Sequence, residues 1–212
     1  MRLASALLCL CLALSCTTTK SKSPAAPAVG KVPPCCAAGS DLTPEEASDG
    51  SIYQLRSQWR DDLGKQRILA SLAGRPQVIS MGYSTCKFAC PRLLADMRLI
   101  ESGLPAEVAA NAGFVFVSID PQTDTPQRLA AYRTENRLDS TRWTLLCGDE
   151  DAVQELAVVL GIQYRRIGDS DFAHSNVITV VNADGEIVHR QEGLAADPAA
   201  SIRAVVTVSN RE

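Results

Sequence analysis

Two continuous apolar stretches of strand length, Gln77-Val-Ile-Ser-Met-Gly-Tyr83 and Gly113-Phe-Val-Phe-Val-Ser-Ile119, constrain this chain more than any other feature. A strand with one solvated face alternates apolar and polar residues, whereas a run that is apolar throughout belongs in the middle of a sheet covered on both faces. The segment between them supplies one cover, the helical stretch Pro91-Arg-Leu-Leu-Ala-Asp-Met-Arg-Leu-Ile100. Proline has no N–H and is tolerated only in the first helical turn, so this helix begins at roughly Phe88 to Pro91. The result is a strand-helix-strand unit.

Strand and helix signals continue to alternate from Ser51 onward. Ile52 to Trp59 reads as a half-buried strand, Asp61-Asp-Leu-Gly64 as a turn, and Arg67 to Leu72 as a short amphipathic piece ended by Gly74. Thr123-Asp124-Thr125-Pro126 caps a helix running to about Glu135, and Trp143 to Leu146 is a short strand. Asp149 caps a helix through Leu160 that Gly161 stops. Asn176 to Val181, the turn Asn182-Ala-Asp-Gly185 and Glu186 to His189 form a hairpin, and a last helix spans Pro198 to about Val208. This order predicts an α/β fold in thioredoxin style, a central mixed β-sheet flanked by helices. With 212 residues, 46% hydrophobic and 21% charged, the chain has enough material for one domain with a real core. With a formal net charge of −3, nothing points to a nucleic-acid footprint or a polybasic membrane surface.

The N-terminus, Met1-Arg2 followed by an apolar run to Ser15, is too short to span a bilayer and reads as a secretory signal over residues 1–15. Ala13-Leu14-Ser15-Cys16 suits cleavage before Cys16 and looks like a bacterial lipobox, so Cys16 is the expected lipid anchor; ordinary signal peptidase is the alternative. Cys9 and Cys11 leave with the signal. Residues 16–50, rich in Thr, Lys, Ser, Pro and Ala, form a flexible tether whose ends lie roughly 30 Å apart, and the folded domain occupies 51–212. The expected location is the bacterial cell envelope, periplasm-facing and oxidising.

Chemistry concentrates in Cys86-Lys-Phe-Ala-Cys90-Pro91, two thiols four residues apart at a helix start. Side chains at i and i+4 project from one face, and the unpaired N–H groups of the first turn are expected to lower the pKa of Cys90. His174 lies in the polar stretch Asp169 to Asn176 leading into a strand, where thioredoxins place a proline close to the dithiol; no proline stands there. Two thiolates and one imidazole form a soft, low-coordination set that suits Cu(I) and leaves a structural zinc shell incomplete. Cu(II) would need added oxygen donors that the sequence does not locate.

These residues resemble the Sco/SenC family, copper chaperones for cytochrome c oxidase. The resemblance spans about Ile52 to Leu194 and rests on Cys86-x-x-x-Cys90-Pro91, Val117-Ser-Ile-Asp-Pro121 with Asp124-Thr-Pro126, Trp143-Thr-Leu-Leu-Cys-Gly148, and His174-Ser ahead of a strand ending near Asp184-Gly185. It implies a thioredoxin-like fold, a membrane tether, copper on Cys86, Cys90 and His174, and delivery to, or thiol reduction of, the binuclear copper site of an oxidase subunit. A copper donor protein or a thiol reductant is the implied upstream partner. Cys147, where the family commonly has a small hydroxyl residue, and Cys35-Cys36 in the tether depart from the pattern.

Other readings stand beside this one. Cys86 and Cys90 serve equally as the redox-active pair of an extracytoplasmic thiol-disulfide oxidoreductase, although dedicated oxidoreductases typically place two residues between the thiols. A structural disulfide is the plainest alternative. Cys147 reads as a core thiol, His189 as a solvated side chain, Cys35 and Cys36 as incidental or intermolecularly paired thiols or an auxiliary relay, and Asp120 and Asp124 as orienting groups or, for Asp124, a helix cap.

Overall fold

The computed structural model describes residues 42–169 and 171–210; the signal segment, Cys9, Cys11, Cys16, Cys35, Cys36 and most of the tether lie outside them. In chain order the strands of the main sheet are β1 (Trp59–Asp61), β2 (Gln66–Arg67), β3 (Gln77–Gly82), β4 (Gly113–Ser118), β5 (Trp143–Gly148), β8 (Val177–Val181) and β9 (Ile187–Glu192). A separate hairpin, β6 (Tyr164–Arg166) and β7 (Phe172–His174), makes a two-stranded sheet of its own. The helices are α1 (Ala89–Gly103), α2 (Ala106–Asn111), α3 (Pro126–Glu135), α4 (Glu150–Leu160) and α5 (Ala199–Ser209).

The two apolar runs become β3 and β4, buried at every position and paired in parallel from Gln77 opposite Gly113 to Gly82 opposite Ser118. The main sheet runs β2-β1-β5-β4-β3-β8-β9, with β5 parallel to β4 and β8 antiparallel to β3. Alternate side chains point to opposite faces. Ile79, Met81, Val115, Val117 and Leu146 pack with Val153, Leu156 and Leu160 of α4, while Val78, Phe114, Phe116 and Leu145 meet Leu93, Met97 and Ile100 of α1, Leu129 of α3 and Val205 of α5. Each run is buried throughout because each face has its own helical cover. The parallel strands β3, β4 and β5 therefore end at one common edge, where the loops that follow them gather.

Several local expectations hold at the residue. Cys90 is the second residue of α1, Asp149 accepts a hydrogen bond from the Ala152 N–H at the start of α4, and Gly161 closes that helix at φ 70°. Others do not. Ile52 to Trp59 is not a strand: Ile52–Gln54 form a 3-10 turn in which the Ser51 hydroxyl accepts the Tyr53 N–H, and adjacent Ile52 and Tyr53 are both buried, which a half-buried strand with one solvated face would forbid. Extended pairing begins only at Trp59. Helix α2 escaped the sequence reading because it is six residues long with only Val108 buried, too short to show a period. Before β1, Leu42 and Ala47 pack against the core and the Ser48 hydroxyl reaches Glu186 at 2.8 Å.

Asp124 is also not the cap of α3; the Thr125 side chain caps it by accepting the Arg128 N–H. Asp124, 1% exposed, instead accepts from the Ser84 N–H at 2.9 Å, from the Ser118 hydroxyl at 2.6 Å and from the Ser84 hydroxyl. One carboxylate thus ties together the ends of β3 and β4 and the entry to α3. Replacing it strands buried donors, and such losses cost about 1–3 kcal/mol each, more with charge involved. Asp124→Ala is expected to lower the unfolding free energy by about 2–4 kcal/mol in urea titration. A loss below about 0.5 kcal/mol would contradict the tie.

Candidate metal centre

The site grows from the end of β3. Gly82 faces Cys90 so closely that a Cβ there would lie 2.9 Å from its Sγ and 3.1 Å from the Phe116 ring. Cys90 is fully buried as a result, its sulfur accepting the Tyr83 N–H at 3.4 Å. The chain turns after Tyr83, with the Cys86 N–H donating to the Tyr83 carbonyl at 3.3 Å, and leaves Cys86 half-buried at the surface. As α1 begins, the Cys90 N–H donates to Cys86 Sγ at 3.4 Å.

His174 arrives from across the molecule. It is not on a polar loop but ends strand β7, opposite Tyr164 of β6. Three-residue strands carry too little alternation to be read in sequence, and the hairpin was missed for that reason. The His174 Nδ1 lies 3.1 Å from the Ser175 carbonyl, which only accepts, so in the neutral ring Nδ1 holds the hydrogen and Nε2 turns its lone pair toward the thiols. That Nε2 stands 3.6 Å from Cys90 Sγ. The donor atoms of Cys86, Cys90 and His174 all lie within 4.8 Å of one another. Cys86 and His174 open onto a groove of about 410 Å³, lined also by Tyr83, Phe88, Ile167 and Phe172, with Cys90 buried behind them.

The two thiols differ electrostatically, in the opposite sense from the sequence expectation. Burial raises the Cys86 pKa, but the N–H groups of Cys90 and Phe88 and the Cys90 and Tyr83 side chains outweigh it, so the thiol sits below its ordinary value. Burial pushes Cys90 well above the thiol range, the Tyr83 N–H offsetting only part and the Cys86 and Asp124 charges adding to the rise. The helix start acts on the sulfur its N–H groups point at, which is Cys86. Tyr83 also closes the site: its hydroxyl accepts the Phe172 N–H at 3.3 Å and its ring meets His174 edge-on at 6.0 Å. Burial lifts that phenol to about 12, so it remains a neutral donor to Cys86. Gly82 and Tyr83 were legible only as strand residues.

The remaining candidates lie apart from the donor group. Cys147 is a buried thiol at the end of β5, 3.6 Å from the Arg60 carbonyl and raised by burial. His189 sits half-buried on β9. Asp120 follows β4 and, at 0% exposed, accepts from Arg166.

The SCO1/SenC family model matches residues 46–209. This chain belongs to the SCO1/SenC family. A copper-binding candidate of Stutzerimonas stutzeri is 31% identical to this SCO1/SenC chain over 121 residues, 55% of this chain and 58% of that relative, so the chain spans less than two thirds of its length. Arabidopsis thaliana ScoI with copper bound superposes with a TM-score of 0.64 at 20% identity, over 74% of this chain and 97% of that one. A SCO1/SenC family lipoprotein from Bacillus anthracis str. Ames gives 0.65 at 21%, over 72% and 92%. These two likenesses establish the thioredoxin-like fold of the family.

Iodoacetamide alkylates thiolates, so in the reduced protein near neutral pH Cys86 is expected to react at least about tenfold faster than Cys90. Because the Cys86 pKa is lowered, its rate should fall as pH drops through that pKa but reach its high-pH plateau at a lower pH than a free cysteine does. Trypsin cuts after Lys87 and separates the two cysteines for mass analysis. Equal rates, or a faster Cys90, would contradict the assignment.

Proposed function

We propose that this SCO1/SenC protein carries copper as cargo, held as Cu(I) by Cys86, Cys90 and His174, and passes it to the binuclear copper site of an oxidase or a related cuproenzyme. The observation that carries the reading is the convergence of two sulfurs and one imidazole nitrogen within 4.8 Å. A three-donor soft set suits a monovalent ion of low coordination number. The copper-bound ScoI fold and the copper-binding candidate of S. stutzeri support the same metal. Cys86 at the mouth of the groove leaves one side of the cargo open to an incoming thiolate, so transfer proceeds by exchanging one ligand at a time.

The unequal thiols favour a second use of the same pair, reduction of the acceptor's cysteines. Cys86 thiolate would attack the acceptor disulfide and release one of its sulfurs as thiolate. Cys90, on losing its proton, would then attack Cys86 and release the second, leaving the acceptor reduced by two electrons and the pair oxidised. A thiol reductant of the envelope would restore the dithiol.

The tether completes the reading: a signal over residues 1–15, a lipid on Cys16 and a segment that lets the domain search above the membrane. No helix among the described residues is long and apolar enough to cross a bilayer, and the B. anthracis relative is a lipoprotein. In competition against a Cu(I) chelator, His174→Ala is expected to weaken binding beyond the roughly 10- to 100-fold cost of losing an outer-shell partner, while the dithiol still oxidises. Unchanged affinity would refute the ligand assignment.

A further inference from the structure

The hairpin that carries His174 is not part of the main sheet, and an isolated two-stranded ribbon is marginal in water. Its position must therefore come from links to the body. One is the seat of Phe172 in the core, with Tyr164 packed against the same cluster, the Phe172 ring 5.1 Å from that of Tyr83 and its N–H donating to the Tyr83 hydroxyl. The other is Arg166 of β6, whose Nη2 donates to Asp120 Oδ1 at 3.1 Å. Asp120 is fully buried, and its second oxygen has no partner, so Arg166 is the one cation paired with this carboxylate among the described residues. The same guanidinium lies 4.5 Å over the Phe172 ring and donates through Nη1 to the Asp169 carbonyl at 2.7 Å, gripping both strands and their turn. Arg166 is the cross-strand partner of Phe172, two residues before His174.

We propose that Asp120 and Arg166 form a latch that holds the β6–β7 hairpin down and thereby sets the reach of His174 to Cys86 and Cys90. Arg166 is a positioning residue in this account; it touches none of the three donors' atoms. The latch holds because a buried carboxylate that loses its cation is costly, so the hairpin cannot lift without leaving Asp120 uncompensated. A hairpin whose tip is exposed and whose polar tie to the body is concentrated in one ion pair is also what a carrier needs to withdraw one ligand without unfolding its sheet. The copper part of this inference rests on the proposed function; the latch itself does not.

Hydrogen exchange on the copper-free protein reads the latch directly. Arg166→Leu, and Asp120→Asn as a second variant that keeps the shape of the buried group, are expected to speed exchange at Ala173 and Ser175, whose N–H groups face the bonded side of the hairpin, by at least about tenfold while β8 amides stay unchanged. Unaltered exchange in both variants would overturn the latch, whatever the copper result. Cu(I) competition reads the positioning. Arg166→Leu is expected to weaken binding about tenfold in the wild-type background and to have no further effect in His174→Ala, because an unattached imidazole has nothing left to position. An equal loss in both backgrounds, or none in either, would overturn the positioning role.

Discussion

The contact between Gly82 and Cys90 Sγ is the constraint on which the rest of the site depends. It requires β3 to end on a residue without a side chain and α1 to begin with a thiol directed back at the sheet, and it buries that thiol completely. Once Cys90 is seated, the intervening turn delivers Cys86 to the surface with its sulfur facing the first N–H groups of α1. Parallel pairing of β3 and β4 brings the next loop to the same edge, where Asp124 gathers Ser84 and Ser118 into one buried network. The main sheet thus builds a rigid half-site that holds both sulfurs, with the histidine supplied from outside it.

That division leaves the three donors unequally held. Cys90 is sequestered and disinclined to ionise unless something stabilises its charge, which a soft cation or a nearby sulfur electrophile would do. Cys86 is half-buried at the groove and holds its thiolate more readily. His174 lies on a small hairpin attached through Arg166 and Phe172, the most separable of the three donors. Tyr83 touches all of them, through its N–H to Cys90, its phenol toward Cys86 and its ring against His174.

Sequence alone carried a large share of this because the strongest signals were backbone signals. Two predominantly apolar runs of strand length, Pro91 confined to a first turn, Asp149 and Gly161 at helix ends and a thiol pair at a helix start all have meanings that tertiary context rarely reverses. What stayed hidden depends on directions that only the folded chain defines. Asp124 beside Pro126 looks like a cap until Ser84 and Ser118 are seen to surround it. Cys90 looks like the activated thiol until its sulfur is found under Gly82, with the helix N–H groups aimed at Cys86. The β6–β7 hairpin is three residues a side, so neither its existence nor the pairing of Arg166 with Asp120 leaves a periodic trace. His174 was recognisable by its chemistry, not by its element.

X-ray absorption at the copper edge of the protein loaded with one equivalent of Cu(I) measures the central claim most directly, because it counts the donors by type. Two sulfur scatterers and one nitrogen scatterer with the outer-shell pattern of an imidazole are the predicted result. A shell of sulfur alone, or a metal held by oxygen and nitrogen with no sulfur, would contradict the account.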